Sequence, residues 1–559
     1  MALQARDAQE RKRHGRHYTP PELARFLARR ALRYVPRAGV LRVLDPACGD
    51  GELLLAVHRE ISSSAPDLEV QLVGFDLDRR AVDETSTRAA AVGVEIDCRA
   101  VDFLTASDGL ADGSFDLIIS NPPYVRTQQL GGATAQLLSK QFGLRGRIDL
   151  THPFVAIAPR LLTPGGVLGL LCANRFLTTR AGANLRRILT SELTPVELYD
   201  LGDTKLFAAA VLPAITVALR ANGPPNCRYV SVYEELGVEP DCGTGLFDAL
   251  AGEDGCRVGA GGRVFAVEVG VLVTGEVTPT VTAGSDTAWR MSRPAIDHWL
   301  GRIADRTWRS FGEVGRIRVG IKTTADRVFI SDQWDQKDPS PEPELLRELI
   351  THHDLQPWQV AMSRGTKVLY PYDLLQPRRT PIDLAEYPCA AEYLRSHEQV
   401  LSGRRYVLDG GRKWFEIWVP QRPHLWRAPK LVFPDISERP RFALDRSGAV
   451  VNGDCYWISL TDLGDAPTDL AYLLMGVANS TLGLKFYDAV CGNRLYSGRR
   501  RWITQYVARL PLPDPACPAA CEIVRRVRAL LEDGVPVADS CIDEVVAAAF
   551  GVSADADHG

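Results

Sequence analysis

Lysine is scarce in this chain: of its 65 basic residues only 9 are Lys and 56 are Arg. A G+C-rich coding bias explains that balance as readily as any demand for bidentate contacts. The 12 cysteines include no C-x-x-C and no Cys/His spacing of the zinc type, and Cys227, Cys242 and Cys256 are widely spaced, so a zinc module is not expected and reduced thiols are. No apolar run approaches the length needed to cross a bilayer. The stretch from Arg6 to Arg16 is charged and lacks the apolar core of a secretory signal, so the cytoplasm is the expected compartment. Strong net charge is also missing: the formal value of −4 does not mark a nucleic-acid binder. It hides a local asymmetry, because residues 301–510 hold 30 Lys+Arg against 25 Asp+Glu, and the remainder is correspondingly more acidic.

What is present is an ordinary globular composition, 45% hydrophobic and 24% charged over 559 residues, enough for two or three domains. The chain is organised around Ile118-Ile119-Ser120-Asn121-Pro122-Pro123-Tyr124, an apolar strand that stops at a diproline. Two successive prolines forbid a helix and remove two backbone donors, so the loop is stiff and extended. The Asn121 side-chain oxygen and the Pro122 carbonyl then form a fixed pair of acceptors, with the Tyr124 ring beside them. Such a pair suits a planar amine. The exocyclic amine of adenine is a poor nucleophile because its lone pair is delocalised, and two acceptors that each take one hydrogen localise that pair toward an electrophile. The bland reading is a turn after a strand, since Asn-Pro is a common turn dipeptide.

Taken in order, Thr19, Pro20 and Glu22 have the pattern of a capping box opening a first helix. A strand at 41–44 runs into Asp45-Pro46-Ala47-Cys48-Gly49-Asp50-Gly51, a glycine-bearing turn before a helix. This turn carries neither G-x-G-x-x-G nor Gly-Lys-Ser/Thr, which excludes a pyrophosphate ligand. Small residues at 47, 49 and 51 admit a ligand close to the backbone, and Asp45 suits a charged amino group. A second strand, 70–75, ends in Asp76, placed to accept from ribose hydroxyls. A third, 94–101, ends in Asp102-Phe103, an acceptor for an adenine amine beside a ring. Each acidic strand end also reads as a helix N-cap; three in succession just before Asn-Pro-Pro-Tyr favour a ligand. Strands at 167–172, 195–201 and 214–219 alternate with helices, which makes residues 15–222 an α/β, doubly wound domain. Phe207, in the loop before the last strand, is either the second face of an aromatic clamp or a hydrophobic plug.

These residues resemble the S-adenosylmethionine-dependent N6-adenine DNA methyltransferases of restriction–modification systems, in the TaqI-like gamma class. The resemblance rests on residues 15–20, 45–51, Asp76, Asp102-Phe103, 121–124, Asp149-Leu150, Thr163-Pro-Gly-Gly166 and Leu201 through Phe207, with cofactor motifs before the catalytic motif and target recognition last. It implies a Rossmann-like class I methyltransferase sheet and S-adenosylmethionine without a metal. Thr19, Asp45, Ala47 and Gly49 would line the methionine end; Asp76 would hold the ribose, and Asp102 and Phe103 the adenine, with Phe154 packed nearby. Asn121, Pro122 and Tyr124 would act on a flipped base, sandwiched by Tyr124 and Phe207. Double-stranded DNA is the implied partner, beside a separately encoded restriction endonuclease, in a bacterial cytoplasm at the nucleoid.

Residues 1–14 are expected to be disordered, 223–290 a linker with a small β element, 291–515 a mixed, β-rich target-recognition domain, and 516–559 a helical segment. In the recognition half, basic and aromatic residues interleave, as phosphate tracking and base contact require. Lys322, Arg499, Arg500 and Arg501 are the residues assigned to DNA contact. Two other readings share the diproline motif: a glutamine-N5 protein methyltransferase, which the extra 300-odd residues disfavour, and a non-catalytic DNA-binding defence subunit, which the intact motif disfavours.

Overall fold

The structure is a computed structural model that describes residues 19–36, 39–124, 132–146, 148–206, 212–223, 226–274, 289–292, 294–362, 364–491, 498–535 and 538–553. The chain divides into two compact units: one holds the described residues as far as 292 with Gly498, the other those from 294 onward.

The first unit is built on one sheet. Its strands are β1 (Val40–Asp45), β2 (Glu69–Asp76), β3 (Ile96–Ala100), β4 (Phe115–Ser120), β5 (Leu162–Ala173), β6 (Thr194–Asp200), β7 (Pro213–Leu219), β8 (Arg228–Glu234), β9 (Cys256–Ala260), β10 (Arg263–Val273) and β11 (Arg290–Ser292). They lie in the order β11-β10-β8-β6-β7-β5-β4-β1-β2-β3, with β9 paired to β10. Strands β3 to β5 run parallel through β2, β1 and β4, while β7 is antiparallel to both neighbours. Helices α1 (Pro21–Leu32), α2 (Glu52–Ser64) and α3 (Arg79–Ala91) belong to this unit.

Strand alternation divides the core in two. Val43, Leu117 and Ile119 join a cluster with Leu23, Leu27 and Leu54; Leu44, Ile118 and Leu168 join another with Val155 and Ile188. Neighbouring residues thus face opposite sides of a sheet covered on both faces. The expected doubly wound α/β architecture is present, and the seven expected strands appear within a few residues of their positions.

Two local expectations change. The linker reading of 223–290 gives way to strands that extend the same sheet: β8 runs parallel to β6, and β10 antiparallel to β8. Val230, Val232, Phe265 and Val267 are buried in the first core, so they pack as sheet rather than connect domains. The capping box at Thr19 and Glu22 is not formed: the residue capping α1 is Pro20, with no side-chain cap. Pro20 and Pro21 lack N–H groups, which leaves a cap few donors to satisfy.

The second unit holds two four-stranded sheets. One orders Ile317–Val319, Cys455–Ser459, Lys430–Pro434 and Ala443–Asp445; the other orders Ile330–Ser331, Lys367–Leu369, Leu346–Ile350 and Val450–Val451. Helices Pro467–Asn479, Pro518–Leu531 and Asp539–Ala549 pack together around Met475, Ile523 and Val546. At Gly476 an added Cβ would lie 2.3 Å from the Ile523 side chain, so the helices meet at bare backbone. The unit is mixed: strands of two to five residues are interspersed with helices from Pro294–Asp305 onward, and helices alone form its end.

Candidate active site

Strands β1 and β4 are neighbours whose connections leave in opposite directions, the arrangement that opens a crevice at the carboxyl edge of an α/β sheet. Leu44 pairs with Ile118, so Asp45 and Ser120-Asn121 emerge side by side. The sequence motifs for ligand and amine therefore meet at one point of the sheet, with Asp76 and Asp102 at the ends of the next two strands along.

Asp45 is 1% exposed. One carboxylate oxygen accepts from the Ala47 amide at 3.0 Å. Ser120 lies close enough to ease the Asp45 carboxyl downward, but by distance and angle neither Asp45 Oδ2 nor Ser120 Oγ has a hydrogen-bond partner among the described residues. Burial pushes the Asp45 carboxyl up to about 7, with backbone hydrogen bonding resisting the shift. A buried carboxylate oxygen left in this state costs free energy until a donor arrives.

The turn after β1 is shaped by two glycines in left-handed conformation, Gly49 at φ 56° and Gly51 at φ 78°. The Gly49 amide donates to Asp76 Oδ2 at 3.0 Å and its carbonyl accepts from Thr85 Oγ1 at 2.8 Å. At Gly51 an added Cβ would sit 2.5 Å from Thr85 Cγ2, so α3 closes against the turn. Asp76 Oδ1 also accepts from the Asp78 amide at 2.8 Å. Asp102 is exposed and accepts from the Leu104 amide at 3.0 Å, which makes it an N-cap in fact as well as by pattern. Phe103 is buried, stacked on Phe154 at 5.7 Å between ring centroids and edge-on to Phe75 at 5.4 Å.

Asn121 is held at both ends of its amide. Nδ2 donates to Thr19 Oγ1 at 3.0 Å, and the Tyr124 hydroxyl donates to Oδ1. Burial raises the Tyr124 phenol well above its ordinary range, so it stays a donor. Pro122 is buried, and the Pro123 carbonyl accepts from Thr151 Oγ1 at 3.4 Å, bracing the loop from the start of the helix Thr151–Leu161. Thr151 also bonds Asp149, whose carboxylate pairs with Arg175. His152 is buried and its Nδ1 accepts from the Asp149 amide at 3.3 Å. Burial lowers His152 to about 4, consistent with a neutral ring.

The structure thus brings together Thr19, Asp45, Ala47, Gly49, Asp76, Asn121, Pro122 and Tyr124, with Phe103 and Phe154 stacked as a pair. Phe207 lies outside the described residues. Arg175, Thr151 and Thr85 were not singled out from sequence; each acts through a tertiary contact, and only Asn174-Arg175 directly after a strand offered any hint. In the second unit, Lys322 and Arg499 are exposed. Arg500 is engaged by Asp488 through two contacts of 2.9 and 2.7 Å, and Arg501 by Asp435 at 3.3 Å.

Comparison with known proteins adds to this geometry. The Eco57I restriction-modification methylase family matches residues 71–207. The Type II methyltransferase M.BanIII of Aneurinibacillus aneurinilyticus is 34% identical over 97% of this chain and 98% of its own length. The Type II methyltransferase M.XhoI of Xanthomonas vasicola is 26% identical over 72% of this chain and 68% of that protein. Among solved structures, the Type IIL restriction-modification enzyme MmeI in complex with DNA superposes with a TM-score of 0.60 at 12% identity, covering 91% of this chain and 70% of that one, a likeness of fold.

Proposed function

The chain belongs to the Type II methyltransferases of restriction–modification systems, and from that premise we propose that it transfers a methyl group from S-adenosylmethionine to N6 of one adenine in a short duplex DNA site. The observation that carries the adenine assignment is the Asn121 amide, fixed by Thr19 and Tyr124 at the head of a diproline loop beside Asp45.

The residues present fit the cofactor. Asp45 Oδ2, buried and without a hydrogen-bond partner among the described residues, suits its amino group. The turn at Gly49 and Gly51 presents bare backbone. Asp76 would hold the ribose, Asp102 the adenine amine, and Phe103 with Phe154 the adenine ring; Thr19, Ala47 and Gly49 would line the methionine end. S-adenosylmethionine supplies an electrophilic methyl on a sulfonium, so the reaction calls for no metal.

The protein's task is to make the amine nucleophilic. Asn121 Oδ1 and the Pro122 carbonyl each accept one hydrogen of the exocyclic amine, drawing its nitrogen toward tetrahedral geometry and localising the lone pair. An amide oxygen has two lone pairs, so accepting from Tyr124 does not bar it from the amine. Acceptors already in place cost no reorganisation as charge develops. An amine inside a duplex cannot reach this loop, so the base is extruded, with Tyr124 and Phe207 against its faces. Lys322 and Arg499 to Arg501 would contact the DNA. The modification would protect host sites from a separately encoded endonuclease.

The test is incubation of the purified protein with labelled S-adenosylmethionine and duplex DNA, beside Asn121→Ala and a release-factor substrate. Label in N6-methyladenine that Asn121→Ala abolishes is the expected result. Label in another base overturns the adenine assignment, label only in protein favours a glutamine methyltransferase, and none in either favours a non-catalytic subunit.

A further inference from the structure

Two cysteines far apart in sequence meet at the sheet extension. Asp241 and Cys242 precede the short helix Leu246–Ala251, and Cys256 opens β9 beyond it. The amides of Asp241 and Cys242 both donate to the Arg257 carbonyl, at 3.0 and 3.2 Å, so the chain doubles back along β9. The Cys242 and Cys256 sulfurs stand 3.0 Å apart. Asp241 Oδ1 accepts from the Arg257 amide at 2.6 Å, which fixes the carboxylate beside them. One oxygen of Asp241 and the two sulfurs all lie within 4.8 Å of one another. The carboxylate is exposed and both thiols are half-buried, so the cluster is open to an arriving ion.

We propose that Asp241, Cys242 and Cys256 form a binding site for a thiophilic divalent cation of the zinc class. Zinc takes thiolate sulfur at about 2.3 Å and carboxylate oxygen at about 2.0–2.2 Å in a tetrahedron, so small side-chain shifts set these three groups on three corners and leave the fourth to water. Charge agrees with this. Two thiolates and a carboxylate carry three negative charges and the neighbouring Glu235 a fourth; a divalent ion cancels two, and the Arg257 guanidinium, 3.6 Å from Asp241 Oδ2 and 2.8 Å from Glu235, offsets a third. The Thr244 hydroxyl donates toward the Cys242 sulfur across 3.5 Å, a further contact that orients it. A hard oxygen-seeking cation such as magnesium finds one carboxylate and two mismatched sulfurs here. The bound ion would staple the 240–244 segment to β9 and close the loop that carries helix Leu246–Ala251. The two cysteines are 14 positions apart with no short C-x2–4-C pair beside either, so they look scattered in sequence.

The experiment is a Co²⁺ titration of the full-length protein, stripped of metal and chemically reduced. One equivalent of Co²⁺ per chain should give the near-ultraviolet thiolate-to-cobalt charge-transfer band, and Zn²⁺ should displace it. Cys242→Ser and Cys256→Ser should lose the band while keeping the wild-type circular dichroism, and Asp241→Asn should bind more weakly. Should a serine variant misfold, protection of Cys242 and Cys256 from iodoacetamide by added Zn²⁺, read by peptide mass spectrometry on the wild-type protein, decides the same question. Absence of the band and of protection overturns the site, as does a band that survives in the double serine variant. A metal-free Cys242–Cys256 disulfide trapped directly from cells overturns it too.

Discussion

Asn121 gives an Nδ2 hydrogen to Thr19 Oγ1 across 3.0 Å, joining residues 102 positions apart. The contact decides which end of the amide faces the loop, because a hydroxyl that accepts at Nδ2 leaves Oδ1 on the other side with Tyr124. Thr19→Val should therefore lower the turnover number about fivefold, the equivalent of one hydrogen bond worth about 1 kcal/mol, while Thr19→Ser keeps it. Single-turnover kinetics with saturating cofactor separates this from weaker cofactor binding.

If Asp45 holds the cofactor's amino group as proposed, cofactor affinity should depend on pH. Its carboxyl, raised by burial from an ordinary 3.8 to about 7, must lose a proton before it can accept from an ammonium group. Affinity for S-adenosylhomocysteine should fall about tenfold for each pH unit below that value and level off above it. The apo protein has the opposite trend: between the two values the folded state holds a proton that the unfolded chain has released, so this group makes stability decline as pH rises. Asp45→Asn should flatten both curves. Calorimetric titration and thermal melts across the window read the two effects.

Gly51 combines a φ of 78° with a virtual Cβ 2.5 Å from Thr85 Cγ2. Gly51→Ala should destabilise the first unit by about 1–2 kcal/mol from backbone strain alone, with the clash added. Pairing it with Thr85→Ser removes the offending methyl and should recover the steric part only. Urea unfolding of the single and double variants tests the division.

Glu197 is 2% exposed and sits among Arg30, Tyr34 and Tyr199, all of which donate to it. Burial pushes its carboxyl up, but the hydrogen bonds and charge of Arg30 outweigh this and hold it below the usual range. Truncating either partner strands a buried charge, so Glu197→Ala or Arg30→Ala should cost about 3–5 kcal/mol, whereas the paired Arg30→Met/Glu197→Leu variant should cost much less. Chemical denaturation of the four proteins closes the cycle.

The assigned basic residues should separate by their surroundings. Lys322 and Arg499 are exposed, so alanine at either should weaken binding across all sequences and reduce the salt slope by about one ion each. Arg500 already pairs with Asp488 and donates to the Glu438 carbonyl at 2.7 Å. Arg500→Ala should lower the melting temperature of the second unit more than it changes that slope. Filter binding over a salt series, beside thermal melts, distinguishes the two behaviours.

Sequence was informative where a local pattern carried the structure. Strands β1 to β4 are short runs, mostly apolar, that end in acidic or Asn-Pro punctuation, so their positions and shared edge were readable. Thr19 was not: its spacing to Glu22 fits a capping box, and its actual partner lies 102 residues away. The apposition of Cys242 and Cys256 is tertiary in the same sense. In the second unit, strands of two or three residues such as Val450–Val451 and Ile317–Val319 are too short to show a period, so only a β-rich character could be inferred. Over 223–290, Gly, Val, Thr and acidic residues suggested a linker with a small β element; in the fold, continuous burial along β8 and burial of Phe265, Val267 and Leu272 along β10 outweigh that composition.

That parallel seam between β6 and β8 bears on where the polypeptide can be cut. Ending it near 222 would strip β6 of its Arg228–Ser231 partners and bare a row of amides and carbonyls ready to recruit other chains. A trimmed fragment of that length should collect in inclusion bodies, and one carried through 292, with β8, β10 and β11 in place, should remain dispersed as a monomeric fold.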